Sequence, residues 1–467
     1  MMPPKETRCA EGRGGLKGDP RTRAEGRTQS RKPLPAKLAW VNEAARRDKS
    51  TRFTALMHHV DVSALERAFR RLKRSAAPGL DGATVASYEQ NLAQNLFQLH
   101  ARVQSGSYRP QPVRRVYIPK AAGGLRPIGV PALEDKVVQS AVAEVLSAIY
   151  EADFLGFSYG FRPGRSPHQA LGALGTALMT QSVKWVLDAD IRSFFDSVDH
   201  QLLLQMIARR IADSRVLRLI RRWLKAGVME QGRWSETVEG VPQGAGASPL
   251  LANVFLHYAL DLWVHWWRRR FARGRVVIVR YCDDFVIGFQ DQADGQRMLS
   301  DLRERLGELK LELHPDKTRL IEFGKWPSRL RQARGQRRCA TFNFLGFTHY
   351  CARSRNGYFV LGRKTDRTRM VRKLKELRSK ARRGMHSPVV VQHRWLCKVL
   401  IGHYAYYGLP GNWHRLANFR CQVERLWYRV LCRRSQRLTS WDRYVRLLER
   451  FPLPPPHLLA APVVVAR

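Results

Sequence analysis

The chain has 467 residues, 44% hydrophobic and 10% aromatic, enough for two or three units with cores of their own rather than a disordered polymer. Its 82 Lys and Arg against 39 Asp and Glu leave a formal net charge of +43, so the natural partner is a polyanion, with nucleic acid favoured over an acidic small molecule. No run reaches the roughly 18 apolar residues of a membrane span, the start has no secretory signal, and seven scattered cysteines without a C-x-x-C pair exclude a zinc ribbon or disulfide framework and fit a reducing, intracellular compartment.

Residues 1–50 are rich in Arg, Lys, Gly and Pro and read as a flexible basic segment. In FTALMHHVDVSALERAFRRLKRS apolar residues recur at helical spacing, with Leu65, Phe69 and Leu72 on one side and basic residues opposite. The turn chemistry of APGLDG (77–82) ends that helix, and His58 with His59 reads as packing or phosphate contact rather than metal ligation. Between Ala101 and Val130 lie six basic residues and no acid. There YRPQPVRRVYIPKAAGGLRPIGVP reads as two strands around a Gly123-Gly124 tip, either a basic hairpin that closes over phosphates or a solvated loop.

WVLDADIRSFFDSV is an apolar strand ending in carboxylates, and alternation puts Asp188 and Asp190 on one face. VDHQLLLQMIARRIA then reads as a helix capped by Asp199. In GVPQGAGASPLLANVFLHYALDLWV a loop feeds another helix, with Ser248 placed as N-cap, Pro249 at the first helical position, and Leu250, Leu251 and Val254 as the apolar stripe. Its G-A-G lacks the spacing of a dinucleotide fingerprint. VVIVRYCDDFVIGF is two strands around the adjacent carboxylates Asp283 and Asp284. Two like charges about 4 Å apart repel by roughly 4 kcal/mol at an effective dielectric near 20. The pair is therefore either a solvated turn or the seat of a divalent cation.

Beyond it, RMLSDLRERLGELKLELHPDKTRLIEF reads as a helix, a strand and a turn, and FNFLGFTHY as a short aromatic strand. From Arg363 to Gly384 there are eleven basic residues against two acids, with Val371, Leu374 and Leu377 at helical spacing. The end is helical and rich in Trp, Tyr and Arg, then closes on PLPPPHLLAAP. Two apolar strands thus deliver carboxylates, Asp190 on one and Asp283 with Asp284 on a hairpin. Three aspartates at a sheet edge can hold two Mg²⁺ ions roughly 3.5 to 4 Å apart for in-line phosphoryl transfer, and the cations remove the like-charge penalty.

In chain order, VYIPKAAGGLRPIGVP, EADFLGFSYGFRPGRS, DADIRSFFDSVDH, PQGAGASPLLANVFLHY, RYCDDFVI, LELHPDKT and FNFLGF resemble the reverse-transcriptase domain of group II intron-encoded proteins, the maturase/reverse transcriptases. GHYAYYGLPGN and LCRRSQRLTSWDRYVRLL are similar to that family's thumb and maturase region, so the resemblance runs roughly from Phe53 to His457. It implies an α+β fold, a right-hand polymerase. Residues 51–350 would form fingers and a palm with an antiparallel sheet and flanking helices, 351–450 an α-helical thumb/maturase (X) domain, and 451–467 a Pro-rich tail. The thumb aromatics either fill its core, which is favoured, or stack on bases.

Carried over residue by residue, the resemblance implies Asp190, Asp283 and Asp284 as catalytic carboxylates. With the backbone carbonyl of Ile191 they would ligate two Mg²⁺ ions, for which Mn²⁺ can substitute, while Asp188 and Asp196 are acidic neighbours without that role. Phe195 matches the aromatic beneath the incoming sugar that excludes a 2′-hydroxyl; its alternative is a core aromatic. Lys120 and Arg126 match fingers residues that grip the triphosphate, and Gln243 lies where the family contacts the nascent pair. Lys317 either protonates leaving pyrophosphate or is a surface lysine. Two departures stand out: Cys282 replaces the usual Ala, and Gly246-Ala247 replaces an aliphatic pair.

The implied activity is RNA-directed DNA polymerisation for a group II intron, copying intron RNA into cDNA and binding that RNA to assist splicing and mobility. The implied partners are the intron RNA, an RNA template with a DNA primer, a DNA target and dNTPs, without a membrane; a homodimer fits the same set. The implied location is cytoplasmic, in a nucleoid-associated ribonucleoprotein. No H-N-H nuclease follows PLPPPH, so cleavage of the second target strand is not expected of this chain. One alternative is a splicing maturase with an idle polymerase, against which the intact Asp triad stands. Another is a reverse transcriptase recruited to a host function such as defence, against which the maturase-like C-terminus stands.

Overall fold

The computed structural model describes residues 35–119, 124–242, 244, 246–336, 339–434 and 440–459. A 3-10 turn (Ala36–Leu38) leads into α1 (Ala39–Arg47), whose Val41 and Ala45 are buried together with Leu38. The flexible reading of residues 1–50 therefore fails from Ala36 onward. Leu38, Val41 and Ala45 form a short stripe at helical spacing that the Arg-rich composition conceals.

α2 (Val62–Arg70) begins at Asp61, which accepts the Ala64 N–H as N-cap, so Met57–His59 forms only a 3-10 turn before it. α3 (Val85–Glu89) and α4 (Leu92–Ser105) follow. β1 (Val113–Pro119) and β2 (Leu125–Val130) form the expected basic hairpin, antiparallel from Arg114↔Val130 to Pro119↔Leu125. α5 (Leu133–Asp153) is buried on nearly every side, as its Ala, Val and Leu content requires of a central helix.

α6 (Pro167–Thr180) opens on a capping box between Ser166 and Gln169 and precedes β3 (Trp185–Asp190). α7 (His200–Ala208) is capped by Asp199 as read from sequence. α8 (Ser214–Leu224), β4 (Val228–Glu230) and β5 (Arg233–Ser235) complete the finger side, in a sheet ordered β2-β1-β4-β5. α9 (Ser248–Leu256) passes through a single π turn, His257–Asp261, into α10 (Leu262–Arg270). β6 (Val276–Tyr281) and β7 (Asp284–Phe289) are the carboxylate hairpin, followed by α11 (Gln292–Glu308) and β8 (Arg319–Glu322).

The palm sheet is ordered β6-β7-β3-β8 and is antiparallel throughout. One face, through Leu187, Phe285 and Ile287, joins the main core and packs on α11. The other packs through Val186, Val279 and Val286 on α6 and on a small sheet, β11-β10-β9. After α12 (Lys325–Ala333), that sheet comprises β9 (Phe342–Phe344), β10 (Phe347–Arg353) and β11 (Phe359–Thr365). β10 straddles residue 350, so the helical domain starts only at α13 (Arg367–Arg383) and not at 351.

α14 (Val389–Tyr407), α15 (Trp413–Cys432) and α16 (Trp441–Arg450) close a bundle around Leu400, Tyr404, Leu416, Phe419 and Trp427. Its aromatics mostly fill the core, although Trp413 and Trp441 stay exposed. Of the stripe read on α13, Leu377 is buried but Val371 is 58% exposed, because Met370 and Ala381 take the inward positions. The Pro-rich end is not a free tail as far as Leu459. Leu453 is buried in the bundle, and the Leu459 N–H donates to Gly408 O at 2.6 Å. Among the described residues no helix is long and apolar enough to cross a membrane.

Candidate active site

The pairing of β3 with β7 decides the site. Six rungs run from Trp185↔Phe289 to Asp190↔Asp284, so the last residue of one strand faces the first of the other. β6 and β7 are joined by Cys282-Asp283 alone, and Cys282 takes the left-handed conformation (φ 60°) that so short a turn requires. Asp283 therefore stands at the tip of the hairpin, one residue before the Asp190↔Asp284 rung.

Like charge and burial govern the electrostatics here. Burial above all, with Asp283, Asp188 and Asp190 adding repulsion, pushes Asp284 up to about 7, against the pull of a Leu345 N–H donated at 3.4 Å. Asp283 is also raised, by burial first and by Asp190, while Arg126 acts in the opposite direction. Asp188 is raised by burial and partly relieved by Arg319 at 3.3 Å. Asp190 holds the Lys317 ammonium at 2.6 Å.

Among the described residues no three His, Cys, Asp or Glu side chains form a closed cluster of metal ligands. Asp190 is turned to Lys317 and Asp284 to the Leu345 N–H, as mutually repelling carboxylates turn to other donors. The donor set nonetheless suits a hard divalent cation. It consists of carboxylate oxygens at one sheet edge whose repulsion a cation relieves, and Asp190 already binds a positive charge.

Several residues singled out from sequence are brought to this edge. Lys317 is one, and Arg126, exposed on β2, is close enough for its charge to act on Asp283. Phe195 lies on the turn after β3 and is half-buried. Its carbonyl accepts the Val241 N–H at 2.7 Å, which sets it beside the Pro242 loop. Ile191 is buried on a bridge to Leu313, and the Asp190 carbonyl beside it accepts the His314 N–H at 2.7 Å. Asp196 is exposed. Lys120 and Gln243 lie outside the described residues, as does the Gly123 of the hairpin tip.

The departures from the family pattern find physical reasons. Cys282 is 2% exposed, and burial pushes its thiol well up, so it is a small core residue rather than a reactive one. Gly246 donates its N–H to Gln139 on α5 at 2.9 Å, and a Cβ there would meet Ser140 Oγ at 2.9 Å, so a larger residue requires that side chain to shift. Ser248 does not cap α9. Ala247 is the N-cap, and the Ser248 hydroxyl instead donates to Pro242 O at 2.7 Å, tying the loop to the helix.

The periodicity reading passed over Arg280, Asp261, Asn253 and Ser158, which are all buried behind the hairpin. The signal was present: a charged residue inside an apolar strand and another inside the apolar helix HYALDLWV each demand a partner.

Residues 118–349 match the family described as "Reverse transcriptase (RNA-dependent DNA polymerase)". Protein YkfC of Escherichia coli (strain K12) is 38% identical over 281 residues, covering 53% of this chain and 73% of that protein. Group II intron-encoded protein LtrA of Lactococcus lactis subsp. cremoris is 37% identical over 202 residues, 43% of this chain and 33% of LtrA. Nuclear intron maturase 1, mitochondrial, of Arabidopsis thaliana is 30% identical over 95 residues, 20% of this chain and 13% of that protein. The alignments thus span a third or less of these two intron-related relatives. With the matched domain, the extent of the YkfC alignment and the carboxylate-bearing palm together, the chain belongs to the reverse transcriptase (RNA-dependent DNA polymerase) family, and its relatives set it among the group II intron-encoded reverse transcriptase/maturases.

Proposed function

We propose that this chain copies the RNA of a group II intron into DNA at the Asp190, Asp283 and Asp284 edge of the palm, and that it binds the same intron RNA to assist splicing and mobility. The observation that carries the reading is the Asp190↔Asp284 rung, with Asp283 at the adjoining tip and the charge of Arg126 reaching it from the fingers. When bound, two Mg²⁺ ions, or Mn²⁺ in their place, supply charge neutralisation at the attacking hydroxyl and the leaving pyrophosphate, held by Asp190, Asp283, Asp284 and the carbonyl of Ile191.

The chain's own groups do the rest. Arg126 and Lys120 grip the triphosphate, the first by directed guanidinium hydrogen bonds and the second as a point charge. Phe195 forms a wall under the sugar, where a rigid ring clashes with a 2′-hydroxyl, and Gln243 meets the nascent pair. Lys317, already within the site, carries the proton that pyrophosphate takes on leaving. The basic α13 tracks the nucleic-acid backbone. The partners are the intron RNA, a primer, a DNA target and dNTPs, in a ribonucleoprotein associated with the nucleoid; a second copy of the chain fits the same assembly.

The test is primer extension on an RNA template with Mg²⁺ and dNTPs, beside the Asp283→Ala/Asp284→Ala variant. Extension by the wild type alone, with RNA affinity equal in both proteins, supports the reading. A folded, RNA-binding wild type that extends nothing replaces it with a splicing maturase whose palm is idle.

A further inference from the structure

Arg280 is the second-to-last residue of the catalytic hairpin's first strand and is 0% exposed, as is Asp261 opposite it. A buried guanidinium has five N–H donors to satisfy, and all five are used. Nε and Nη2 donate to the two oxygens of Asp261 at 2.7 and 2.5 Å, and Nη2 also donates to Ser158 Oγ at 2.7 Å. Nη1 donates to Asn253 Oδ1 at 3.0 Å and to the carbonyl of Cys282 at 2.9 Å. That carbonyl is the peptide bond joining Cys282 to Asp283.

The surroundings are built to the same end. The π turn His257–Asp261 inserts one residue into the α9–α10 helix and brings Asp261 to the guanidinium. Asn253 donates its other end to Gly160 O at 2.6 Å. The backbone of Arg280 pairs with Phe157 O and the Tyr159 N–H, both at 2.9 Å, so the 157–160 segment lies along the free edge of β6. Gly160 can lie there because it has no Cβ, which would collide with the Cys282 nitrogen.

Stability alone is a poor reason for this arrangement. A buried ion pair is on average no better than well-packed apolar residues of equal volume. What apolar residues cannot supply is a directed hydrogen bond to the turn that carries Asp283.

We propose that Arg280, held by Asp261, is the positioning residue of the catalytic hairpin: it fixes the Cys282 carbonyl and with it the pose in which Asp283 meets Asp190. The inference rests on the polymerase reading above. Arg280 touches neither substrate nor reacting atoms, and it acts through the turn.

The test uses the full-length chain with Arg280→Met/Asp261→Leu, which removes both charges together, and Arg280→Lys, which keeps a cation beside Asp261 but loses the fork that reaches Cys282. Four quantities are measured: thermal unfolding, RNA affinity, kcat and KM for dNTP in primer extension, and Mn²⁺ binding by electron paramagnetic resonance without nucleic acid. The double variant is expected to fold and to bind RNA as the wild type does. Its kcat should fall about 100-fold, the size of effect that misplacing a reacting group by an ångström produces. KM for dNTP should stay within about threefold, and Mn²⁺ affinity should fall roughly tenfold or more, as when a support of a metal ligand is lost.

Wild-type kcat and Mn²⁺ affinity in a folded double variant overturn the proposal. If the double variant does not fold, Arg280→Lys decides by the same two readouts. If the wild type itself extends no primer, the polymerase reading falls, and the Mn²⁺ titration alone decides whether Arg280 sets the carboxylates.

Discussion

At the scale of single residues, Asp284 makes the site sensitive to pH. Folded, it keeps its proton up to about 7; its ordinary value is 3.8. Between those values the folded chain binds more protons than the unfolded one, so this group's contribution to stability falls as pH rises through the window. Buried His257 and His403, both lowered to about 4, act with the opposite sign between there and 6.5. Comparison with Asp284→Asn cancels them. In chelator the variant's stability relative to the wild type should rise by about 1–3 kcal/mol between about pH 5 and about pH 8, a range discounted for the part of Asp284 that stays in solvent. Thermal unfolding at the two pH values checks this, and equal shifts at both would remove the repulsion argument. The carboxylates were legible in sequence because charge inside an apolar strand needs a reason. Arg280 carried the same signal, but its partner Asp261 is on a helix that only folding brings against the strand.

At the scale of elements, the turn after β3 shows how one local structure divides two adjacent aromatics between core and site. Ser193 takes a left-handed φ of 47°, and the turn Phe194–Asp196 then sends Phe194 into the core against Phe255, 6.1 Å between ring centroids. Phe195 is left half-buried beside the Pro242 loop. Phe195→Ala should therefore fold normally and lower the preference for dNTP over rNTP by roughly tenfold or more, since a steric wall is worth a few kcal/mol of discrimination. Competitive incorporation assays measure it, and unchanged selectivity would return Phe195 to the role of a core aromatic. Phe194→Ala, by contrast, should cost about 3–5 kcal/mol of stability. Strands and helix caps were read well where the signal is local, as at Asp199. They were misread where a neighbour decides, as at Ser248, whose hydroxyl is taken by Pro242 O, and at Val371, which faces solvent because the bundle packs on Met370 and Leu377.

At the scale of the whole molecule, a net charge of +43 on this fold makes binding an electrostatic event. Each phosphate neutralised releases a counterion, so affinity for RNA should fall by roughly 10³-fold or more between 50 and 200 mM salt if six or more phosphates are engaged. Fluorescence titration across that range gives the slope, and a flat response would exclude a backbone-tracking surface. The sequence by itself determined the charge, the order of the blocks and the presence of carboxylates on two apolar strands, because these depend on residue type and on period along one strand or helix. The tertiary structure alone decided that Asp190 faces Asp284, that Arg126 reaches Asp283, that the chain from Ala36 belongs to the core, and that Arg280 grips the Cys282 carbonyl. Each of those depends on strand register or on contact between segments far apart in the chain, and neither is encoded in any local period.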